Sequence, residues 1–460
     1  MRRCLSEHIK KKSKELNRRL GVALLGYGST NKAVLEALSD VSNYAHITLR
    51  EGGKADTGSA LHVKVICGEE AFSDICEDVI FPSPSIRREN LSIPDCSELL
   101  TDYDLLFSSK PKELFLVSGS DGKSTVTSIA SLLLQPHFPT LFTGGNIGVP
   151  LIGADRNSDA FLLELSSFTL RYSLPRSGRA VLTNITPNHL DWHKDFDEYR
   201  DCKLDLIRHA DEGILNLDDT VSEREARRME TFCLISNSRT HSEIMKDYQT
   251  AHTVTEERGH IMLDGEAIIP ISAVKRREKH NLANLRSAIA LTVGYTDEKR
   301  IREVASSFQG LVERCEIIPI DGVDYISSSI DTSPSRTRTT LIGLDRPVNI
   351  ILGGRGKRLS LEPLTDVLKK YAKRIAIYGD IAEQMCEFIE SNTLLKSIQH
   401  QRFTSLAEAI DYASYNTKAG DTVLLSPAAT SYGEFKSYVE RGKFFKEYIM
   451  SKKTGNSSKI

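Results

Sequence analysis

A glycine-rich segment that carries a lysine and two hydroxyl side chains offers the clearest chemistry in this sequence. It follows the apolar run 114–118 and consists of Gly119, Ser120, Asp121, Gly122, Lys123, Ser124 and Thr125. A strand that enters a helix through such a turn leaves backbone N–H groups at the helix N-terminus, where they bind anions. Lys123 would contact the outer phosphates of a nucleotide, and the hydroxyl of Ser124 or Thr125 would ligate Mg²⁺. Because Val117 occupies the place of the first glycine of the full phosphate-loop pattern, an ordinary glycine turn is the alternative.

Acidic and histidine side chains follow two further apolar runs. Glu164 ends the run 161–164, and an acid at the carboxyl end of a parallel strand faces the crevice where ligands bind. Glu164 is therefore a candidate Mg²⁺ ligand, with a capping or salt-bridged glutamate as the alternative. The segment 186–193 follows the strand predicted at 180–184 and contains His189, Asp191 and His193. A zinc site would need further ligands at a suitable spacing, so we interpret this segment as a polar wall of the phosphate site.

The elements that must position these side chains are strands that alternate with helices. The segment 21–38 predicts a strand, a glycine turn and a helix, and a second strand begins at 46–49. Only Gly26 and Gly28 of the G-x-G-x-x-G pattern are present, because Asn31 takes the third place. A nucleotide diphosphate would still fit at the N-terminus of this helix. Arg50, at the end of the second strand, is placed to meet a ribose or pyrophosphate, unless it is an ordinary surface charge.

The length of 460 residues and the repeated strand–helix pattern indicate three α/β domains, which we place at 1–112, 113–309 and 310–460. The second contains a hairpin at Asp264-Gly265, and the third opens with a hairpin at Asp321-Gly322. Strands at 348–352, 374–378 and 422–425 follow in the third domain. Their carboxyl ends are the predicted face for a second substrate.

Composition excludes several classes of function. A hydrophobic content of 40% and a charged content of 27% are typical of a soluble globular protein, and the formal net charge of −2 does not favour nucleic-acid binding. No apolar stretch is long enough to span a membrane, and eight scattered cysteines suit a reducing compartment. Glu7 and Glu15 interrupt the basic first 20 residues, which we interpret as a solvated amphipathic helix rather than a targeting signal. We expect a cytoplasmic monomer that binds small molecules, neither nucleic acid nor a membrane.

These segments together resemble the Mur ligase family, most of all its D-glutamate-adding members. The segments that carry the resemblance, in chain order, are LLGYGSTN, GSDGKST, GGNIG, LLELSSF, TNITPNHLDWH, YRDCKLDLI, KHNLANLRSA, LVERCE, SSSIDTSP, ILGGRGK and LLSPAATSYGEFKSYVERG. The resemblance implies an N-terminal Rossmann-like UDP-binding domain, a central P-loop ATPase-type domain with a parallel or mixed sheet, and a C-terminal Rossmann-like domain for the amino acid. It implies that ATP activates the carboxylate of UDP-N-acetylmuramoyl-L-alanine as an acyl phosphate, from which the amine of D-glutamate displaces phosphate.

The resemblance also implies roles for individual residues. Lys203, which would otherwise be interpreted as a solvated charge on a helix, matches a lysine that relatives carry as a carbamate. As a carbamate it would join Glu164 and His189 around a second Mg²⁺, and Lys123 completes the catalytic set. The implied metal ligands are Ser124, Glu164, His189 and carbamylated Lys203. The implied contacts to ATP are residues 119–125, Asn284 and Arg314; those to the UDP substrate are Ser29, Thr30, Arg50 and Asn146; those to D-glutamate are Thr332, Lys357, Ser431 and Tyr438.

Some positions depart from the family pattern. Ser328 stands where many relatives keep an aspartate near the ribose, Ile330 stands where many keep a lysine, and Tyr438 replaces a phenylalanine. The alternatives are a nucleotide-binding paralogue without ligase chemistry and a ligase for another amino acid. A diaminopimelate-adding ligase would carry D-N-P-R in the third domain, which this sequence lacks. A folylpolyglutamate synthase would share the phosphate loop but lack the first domain.

Overall fold

The computed structural model describes residues 1–52, 63–146, 150–190, 192–310, 315–356, 360–431 and 433–455. Two compact units divide the chain, Met1–Phe308 and Gln309–Ile460. The first unit contains a five-stranded and a nine-stranded sheet, and the second contains a six-stranded sheet. The chain is therefore an α/β protein with three parallel or mixed sheets.

The first sheet is entirely parallel, with the strand order β3-β2-β1-β4-β5. Its strands are β1 (Leu20–Leu25), β2 (Ala45–Glu51), β3 (Val63–Cys67), β4 (Val79–Pro82) and β5 (Glu98–Leu99), and the helices are α1 (Arg2–Glu15), α2 (Ser29–Leu38) and α3 (Asp102–Ser108). This is the order of a dinucleotide-binding sheet, and the turn after β1 lies where the order reverses. The amphipathic first helix is confirmed, because α1 buries Leu5 and Ile9.

The second sheet has the order β14-β13-β12-β11-β10-β9-β6-β8-β7. Its strands are β6 (Leu114–Ser118), β7 (Phe142–Gly145), β8 (Phe161–Glu164), β9 (Arg179–Leu182), β10 (Glu212–Asn216), β11 (Thr231–Ser236), β12 (Thr250–Glu257), β13 (His260–Leu263) and β14 (Glu266–Pro270). Its helices are α4 (Lys123–Leu134), α5 (Ser167–Tyr172), α6 (Phe196–His209), α7 (Thr220–Ala226), α8 (His241–Asp247), α9 (Lys279–Thr292) and α10 (Glu298–Ser307). Strands β6, β8 and β9 are buried along their whole length, which explains their continuous apolar sequences. Antiparallel pairing of β13 with β14 confirms the predicted hairpin at Asp264-Gly265.

The third sheet has the order β15-β16-β20-β17-β18-β19, and only the pair β15–β16 is antiparallel. Its strands are β15 (Glu316–Ile320), β16 (Val323–Ser327), β17 (Val348–Gly353), β18 (Ala372–Tyr378), β19 (Gln399–Phe403) and β20 (Thr422–Leu425). Its helices are α11 (Pro334–Leu344), α12 (Thr365–Tyr371), α13 (Ala382–Ser391), α14 (Leu406–Ser414) and α15 (Tyr438–Gly455). The hairpin at Asp321-Gly322 is confirmed. Within the described ranges, no helix has the length and apolar character needed to cross a bilayer.

Candidate nucleotide and metal site

The glycine-rich loop between β6 and α4 is shaped by side chains from two other elements. Gly119 and Gly122 have φ values of 145° and 82°. A Cβ atom on Gly119 would lie 1.9 Å from Thr183 Oγ1, and one on Gly122 would lie 2.1 Å from Asn284 Oδ1. Only glycine fits at these two positions. The structure therefore places Asn284, a predicted ATP contact on α9, directly against the loop.

The end of β9 holds the backbone of this loop. The N–H groups of Ser120 and Asp121 donate to the backbone oxygen and to Oδ1 of Asn184, at 2.9 and 3.0 Å. The hydroxyl of Thr183 donates to the Asp121 carbonyl at 2.6 Å. Two of the predicted phosphate donors, the amides of Ser120 and Asp121, are thus engaged within the protein. The first turn of α4 remains the anion-binding end of the loop, because its N–H groups have no partner within the helix.

Sequence reasoning missed Thr183 and Asn184. Both follow the apolar run of β9 at the carboxyl edge of a parallel sheet, which is the position that identified Glu164. Their position was thus the signal that could have found them.

Lys123 begins α4 and folds back over the loop. Its Nζ donates to the carbonyls of Gly119 and Ser120, each at 2.9 Å. Ser124 is half-buried and Thr125 is buried in the same helical turn. The predicted phosphate and metal contacts therefore cluster at one helix N-terminus.

Lys203 is buried rather than solvated, with 1% of its surface exposed. It lies on α6, and its Nζ donates to Gly119 O at 2.8 Å and to Ser118 Oγ at 3.2 Å. The ring of Tyr199, one helical turn earlier, lies 5.0 Å from this nitrogen. Tyr199 also shares a hydrogen bond of 2.8 Å with the hydroxyl of Ser120. Helix α6 thus brings Lys203 underneath the phosphate loop.

Burial lowers the pKa of Lys203 well below its ordinary value, and the nearby ammonium of Lys123 lowers it further. Glu164 and Asp121 act in the opposite direction without cancelling this effect. The described hydrogen-bond acceptors of Lys203 Nζ are neutral oxygens. A lowered pKa favours the neutral amine over the ammonium, and the neutral amine is the form that reacts with CO₂ to give a carbamate.

Glu164 presents one unsatisfied carboxylate oxygen beside this lysine. It ends β8 with 1% of its surface exposed, and its Oε1 accepts a hydrogen bond of 2.8 Å from Asn146 Nδ2. Oε2 is buried and has no hydrogen-bond partner among the described residues. Because a buried carboxylate oxygen without a partner is costly, this atom fits a cation as its missing partner. Asn146, a predicted substrate contact, is therefore placed beside the candidate metal ligand.

The histidine-containing loop divides into an exposed and a buried part. His189 is exposed, and its ring lies 4.8 Å from that of Phe168. His193 is buried and forms hydrogen bonds with Ser167 Oγ at 2.9 Å and with Glu198 Oε2 at 3.3 Å, and burial lowers its pKa. Among residues the structure describes, no three His, Cys, Asp or Glu side chains gather as a metal site. The predicted metal set therefore depends on the carbamate of Lys203 as a ligand.

The turn before α2 is closed by Asn31, whose side chain is buried. Its Nδ2 donates to the carbonyls of Leu25, Gly26 and Phe81 at 3.0, 2.9 and 3.2 Å. This amide explains why asparagine replaces the third glycine of the pattern. Ser29 and Thr30, the predicted UDP-substrate contacts, are the first two residues of α2.

The structure corrects the prediction for Arg50. Arg50 is buried, with 4% of its surface exposed, and the described partners of its side chain belong to the segment 71–77. Its guanidinium bonds both carboxylate oxygens of Glu77 at 3.1 and 3.2 Å. It also donates to the carbonyls of Ala71, Ser73 and Asp74 at 3.1, 2.9 and 3.2 Å. A fork of donors satisfied in this way holds the segment 71–77 and is not available to a ribose or pyrophosphate.

In the second unit, two predicted amino-acid contacts lie in loops that follow strands, and a third begins a helix. Thr332 follows β16, Ser431 follows β20, and Tyr438 begins α15, whereas Arg314 and Lys357 lie outside the described residues. Arg441 is fully buried and ties these loops together. It donates to Ser329 O at 2.8 Å, to Ser329 Oγ at 2.9 Å and to Ala429 O at 3.1 Å.

Ser328, one of the departures from the family pattern, begins the loop that follows β16. Ser328 is fully buried, with its hydroxyl 3.8 Å from Cys315 Sγ. Asp331 accepts hydrogen bonds of 2.7 Å from both Thr340 and Ser426. Asp331 thus connects α11 to Ser426, the residue that follows β20.

Comparison with known proteins finds similar sequences and a similar fold over most of this chain. A profile of the Mur ligase middle domain matches residues 117–292. The UDP-N-acetylmuramoylalanine–D-glutamate ligase of Acetivibrio thermocellus is 31% identical over 392 residues, which cover 81% of this chain and 83% of the relative. The enzyme of the same name from Clostridium tetani is 31% identical over 449 residues, 93% of this chain and 96% of the relative. The solved UDP-N-acetylmuramate-alanine ligase of Thermotoga maritima shares the fold, with a TM-score of 0.57 and 17% identity over 94% of this chain and 100% of that one.

Proposed function

The chain belongs to the Mur ligase family, and we propose that it is the ADP-forming ligase that joins D-glutamate to UDP-N-acetylmuramoyl-L-alanine. The reaction belongs to peptidoglycan precursor synthesis and takes place in the cytoplasm, with the protein acting as a monomer on small-molecule substrates. The observation that carries the proposal is the meeting of Lys123, Lys203 and the unpartnered oxygen of Glu164 at one glycine loop. Full-length similarity to D-glutamate ligases supports the choice of substrates.

We assign one substrate to each sheet. Residues 1–112 bind the UDP moiety at the N-terminus of α2, where Ser29 and Thr30 lie. Residues 113–309 bind ATP through the glycine loop and Asn284. Residues 310–460 bind D-glutamate through the segments that follow β16, β17 and β20. The contacts assigned to D-glutamate are Thr332, Lys357, Ser431 and Tyr438.

The reaction proceeds in two steps. A carboxylate oxygen of UDP-N-acetylmuramoyl-L-alanine attacks the γ-phosphorus of ATP, the bond to the β–γ bridging oxygen breaks, and ADP leaves. The amine of D-glutamate then attacks the acyl carbon, phosphate leaves, and the nitrogen loses a proton to give the amide. Lys123 and the first turn of α4 neutralise the charge on the transferring phosphoryl group.

The described residues fit Mg²⁺, because the buried Oε2 of Glu164 has no hydrogen-bond partner among them and burial of Lys203 favours the neutral amine from which a carbamate forms. Ser124, Glu164, His189 and carbamylated Lys203 would hold two ions. Bound Mg²⁺ supplies charge neutralisation to the phosphate oxygens. The carbamate would convert a buried basic side chain into an anionic ligand, so the site would need no second carboxylate beside Glu164.

Phosphate release tests the proposal. Purified protein is incubated with ATP, Mg²⁺, UDP-N-acetylmuramoyl-L-alanine and each amino acid of a panel that includes D-glutamate, L-glutamate, L-lysine and diaminopimelate. We expect release with D-glutamate and not with the others. Stimulation of phosphate release by another amino acid would identify a ligase with a different substrate. No phosphate release with any amino acid would favour a nucleotide-binding paralogue, an alternative that the serine at position 328 allows.

Two lysine variants show whether the glycine loop performs the reaction. Lys123→Ala removes a charge that backbone donors cannot replace, so its rate should fall by about 10³-fold. Lys112→Ala removes an exposed lysine just before β6 and should keep the wild-type rate. Near-normal turnover by Lys123→Ala would overturn the assignment of the loop.

A further inference from the structure

One short segment of the first domain contacts both the α2 turn and the histidine loop. This bridge segment, residues 83–89, follows β4. At its beginning, Ser83 packs against the glycine turn: a Cβ atom on Gly26 would lie 2.8 Å from Ser83 Cβ, and one on Gly28 would lie 3.9 Å from Ser83 Oγ. The hydroxyls of Ser83 and Ser85 share a hydrogen bond of 2.9 Å. The start of the bridge segment therefore borders the N-terminus of α2.

Three side chains of the central domain form hydrogen bonds or an ion pair with the rest of the bridge segment. Trp192 Nε1 donates to the carbonyl of Ser85 at 2.9 Å, and the Tyr172 hydroxyl donates to the carbonyl of Ile86 at 2.7 Å. Arg171 forms an ion pair of 2.5 Å with Glu89. Two adjacent carbonyls are thus fixed by donors from two different elements of the central domain.

The same side chains border His189. The backbone N–H of Trp192 donates to the His189 carbonyl at 3.0 Å, which places both residues in one turn. The ring of Phe168 lies 4.8 Å from His189 and 4.6 Å from Trp192. Phe168, Arg171 and Tyr172 all belong to α5. A displacement of the bridge segment would therefore shift Trp192 and α5, and both of these contact His189.

We propose that the bridge segment couples occupancy of the α2 turn to the position of His189, with Trp192 and Tyr172 as its positioning residues. The proposal rests on the proposed function, in which the UDP moiety binds at α2 and His189 serves the metal site. Proline at position 84 fixes its own φ and restricts the residue before it, so the segment is too stiff to absorb a shift at Ser83. Binding of the UDP substrate then changes the affinity for the nucleotide on the central domain, and thermodynamic linkage makes this coupling reciprocal.

The first test uses Trp192 as a reporter, since it is the only tryptophan of the chain. UDP-N-acetylmuramoyl-L-alanine is titrated into the wild-type protein while tryptophan fluorescence is followed, and calorimetry measures binding independently. We expect the tryptophan emission to change during the titration, and the Kd obtained from this change to equal the Kd measured by calorimetry. Calorimetric binding with silent fluorescence would overturn the bridge alone, whereas absence of binding would overturn the proposed function together with the bridge.

The second test measures coupling in conservative variants. Trp192→Phe and Tyr172→Phe each remove one bridge hydrogen bond and keep a ring. The matched control is Tyr295→Phe, which removes a hydrogen bond of 2.8 Å to Glu113 away from the bridge segment. The Kd of ADP with Mg²⁺ is measured by calorimetry with and without saturating UDP-N-acetylmuramoyl-L-alanine, and the ratio of the two values is the coupling factor.

A coupling role and a merely structural role differ in this ratio. We expect each bridge variant to bind ADP alone as the wild type does, while its coupling factor falls by about threefold or more towards unity. The control should keep the wild-type factor. Retention of the full factor in both bridge variants, or an equal loss in Tyr295→Phe, would overturn the proposal.

Discussion

Arg50 and Lys203 are both buried basic side chains close to a glycine turn, yet their surroundings differ. Arg50 has a carboxylate partner, and its remaining donors meet backbone carbonyls. Lys203 donates to a carbonyl and a hydroxyl, and the nearby carboxylate of Glu164 keeps one oxygen without a described partner. Burial leaves the pKa of Lys203 well below its ordinary value.

The comparison separates a structural charge from one prepared for chemistry. A buried ion pair whose donors and acceptors are all satisfied holds a fold in place, and it has nothing left to offer a ligand. A buried lysine without a carboxylate partner is costly unless it changes its protonation state or acquires one. Arg50 is therefore a structural charge of the first domain, whereas Lys203 and Glu164 are incompletely paired groups beside the phosphate loop.

The largest effect should come from removing the lysine. Lys203→Ala deletes the carbamate and with it a metal ligand, so phosphate release should fall by about 10³-fold. A short carboxylate such as acetate, added at high concentration, should restore part of the rate because it enters the vacated volume as an anion. Lys194→Ala, an exposed lysine in the loop before the same helix, serves as the control and should be unaffected. If Lys203→Ala released phosphate at the wild-type rate, Lys203 would have no chemical role that distinguishes it from Arg50.

The opposite outcome is expected at the paired charge. Arg50→Ala leaves Glu77 buried without its partner, which should cost about 3–5 kcal/mol of unfolding free energy. The double variant Arg50→Met with Glu77→Leu should lose much less, because neither charge is then stranded. Urea unfolding of the single and double variants measures both values. A folded Arg50→Ala protein with unchanged stability and a raised KM for the UDP substrate would restore Arg50 as a substrate contact.

The fold was predictable from the sequence because its signals are local. Apolar runs such as 114–118 and 161–164 become fully buried parallel strands, and the Asp-Gly pairs at 264–265 and 321–322 turn hairpins. The elements around Lys123, Glu164 and Lys203 could be placed in the same way. What could not be predicted is pairing across distant segments.

Arg50 and Lys203 show this limit most clearly. Arg50 pairs with Glu77, which lies 27 positions away in the chain, and no periodic pattern in the sequence predicts this ion pair. The burial of Lys203 depends on α6 crossing beneath the loop, so by pattern alone it was one more lysine on a helix. The roles of Asn184 and Thr183 likewise depend on a parallel strand that adjoins β6. Side-chain partners that meet only through sheet order are invisible to local patterns.

A smaller effect concerns the pH dependence of stability. Because the fold favours neutral Lys203, the unfolded chain binds the proton more readily between the lowered pKa and the ordinary value of 10.5. The folded state is thus penalised when the pH falls through this window and gains stability when the pH rises. In CO₂-free buffer, wild type should gain melting temperature relative to Lys203→Met between neutral pH and about 9.5. Parallel pH profiles for the two proteins would show that Lys203 is charged in the fold, as Arg50 is.

The smallest expected effect tests whether a buried carboxylate without a described ion pair always takes part in chemistry. Asp102, the first residue of α3, is 5% exposed, and burial raises its pKa from 3.8 to about 7. The backbone N–H groups of Asp102, Tyr103 and Ile152 stabilise its charged form, whereas the carboxylate of Asp104 opposes it. A carboxyl with a raised pKa contributes stability below its unfolded pKa and loses it as the pH rises through the folded value.

Asp102→Asn should therefore raise the melting temperature at pH 8 more than at pH 5, and it should leave the rate of phosphate release unchanged. The matched comparison is Asp155→Asn, which changes an exposed aspartate of the central domain and should show no such pH dependence. If Asp102→Asn lost activity instead, Asp102 would take part in the reaction as Glu164 is proposed to do, although backbone amides already stabilise its charged form. Unchanged activity together with the pH-dependent gain would restrict the chemistry to the incompletely paired groups that face the phosphate loop.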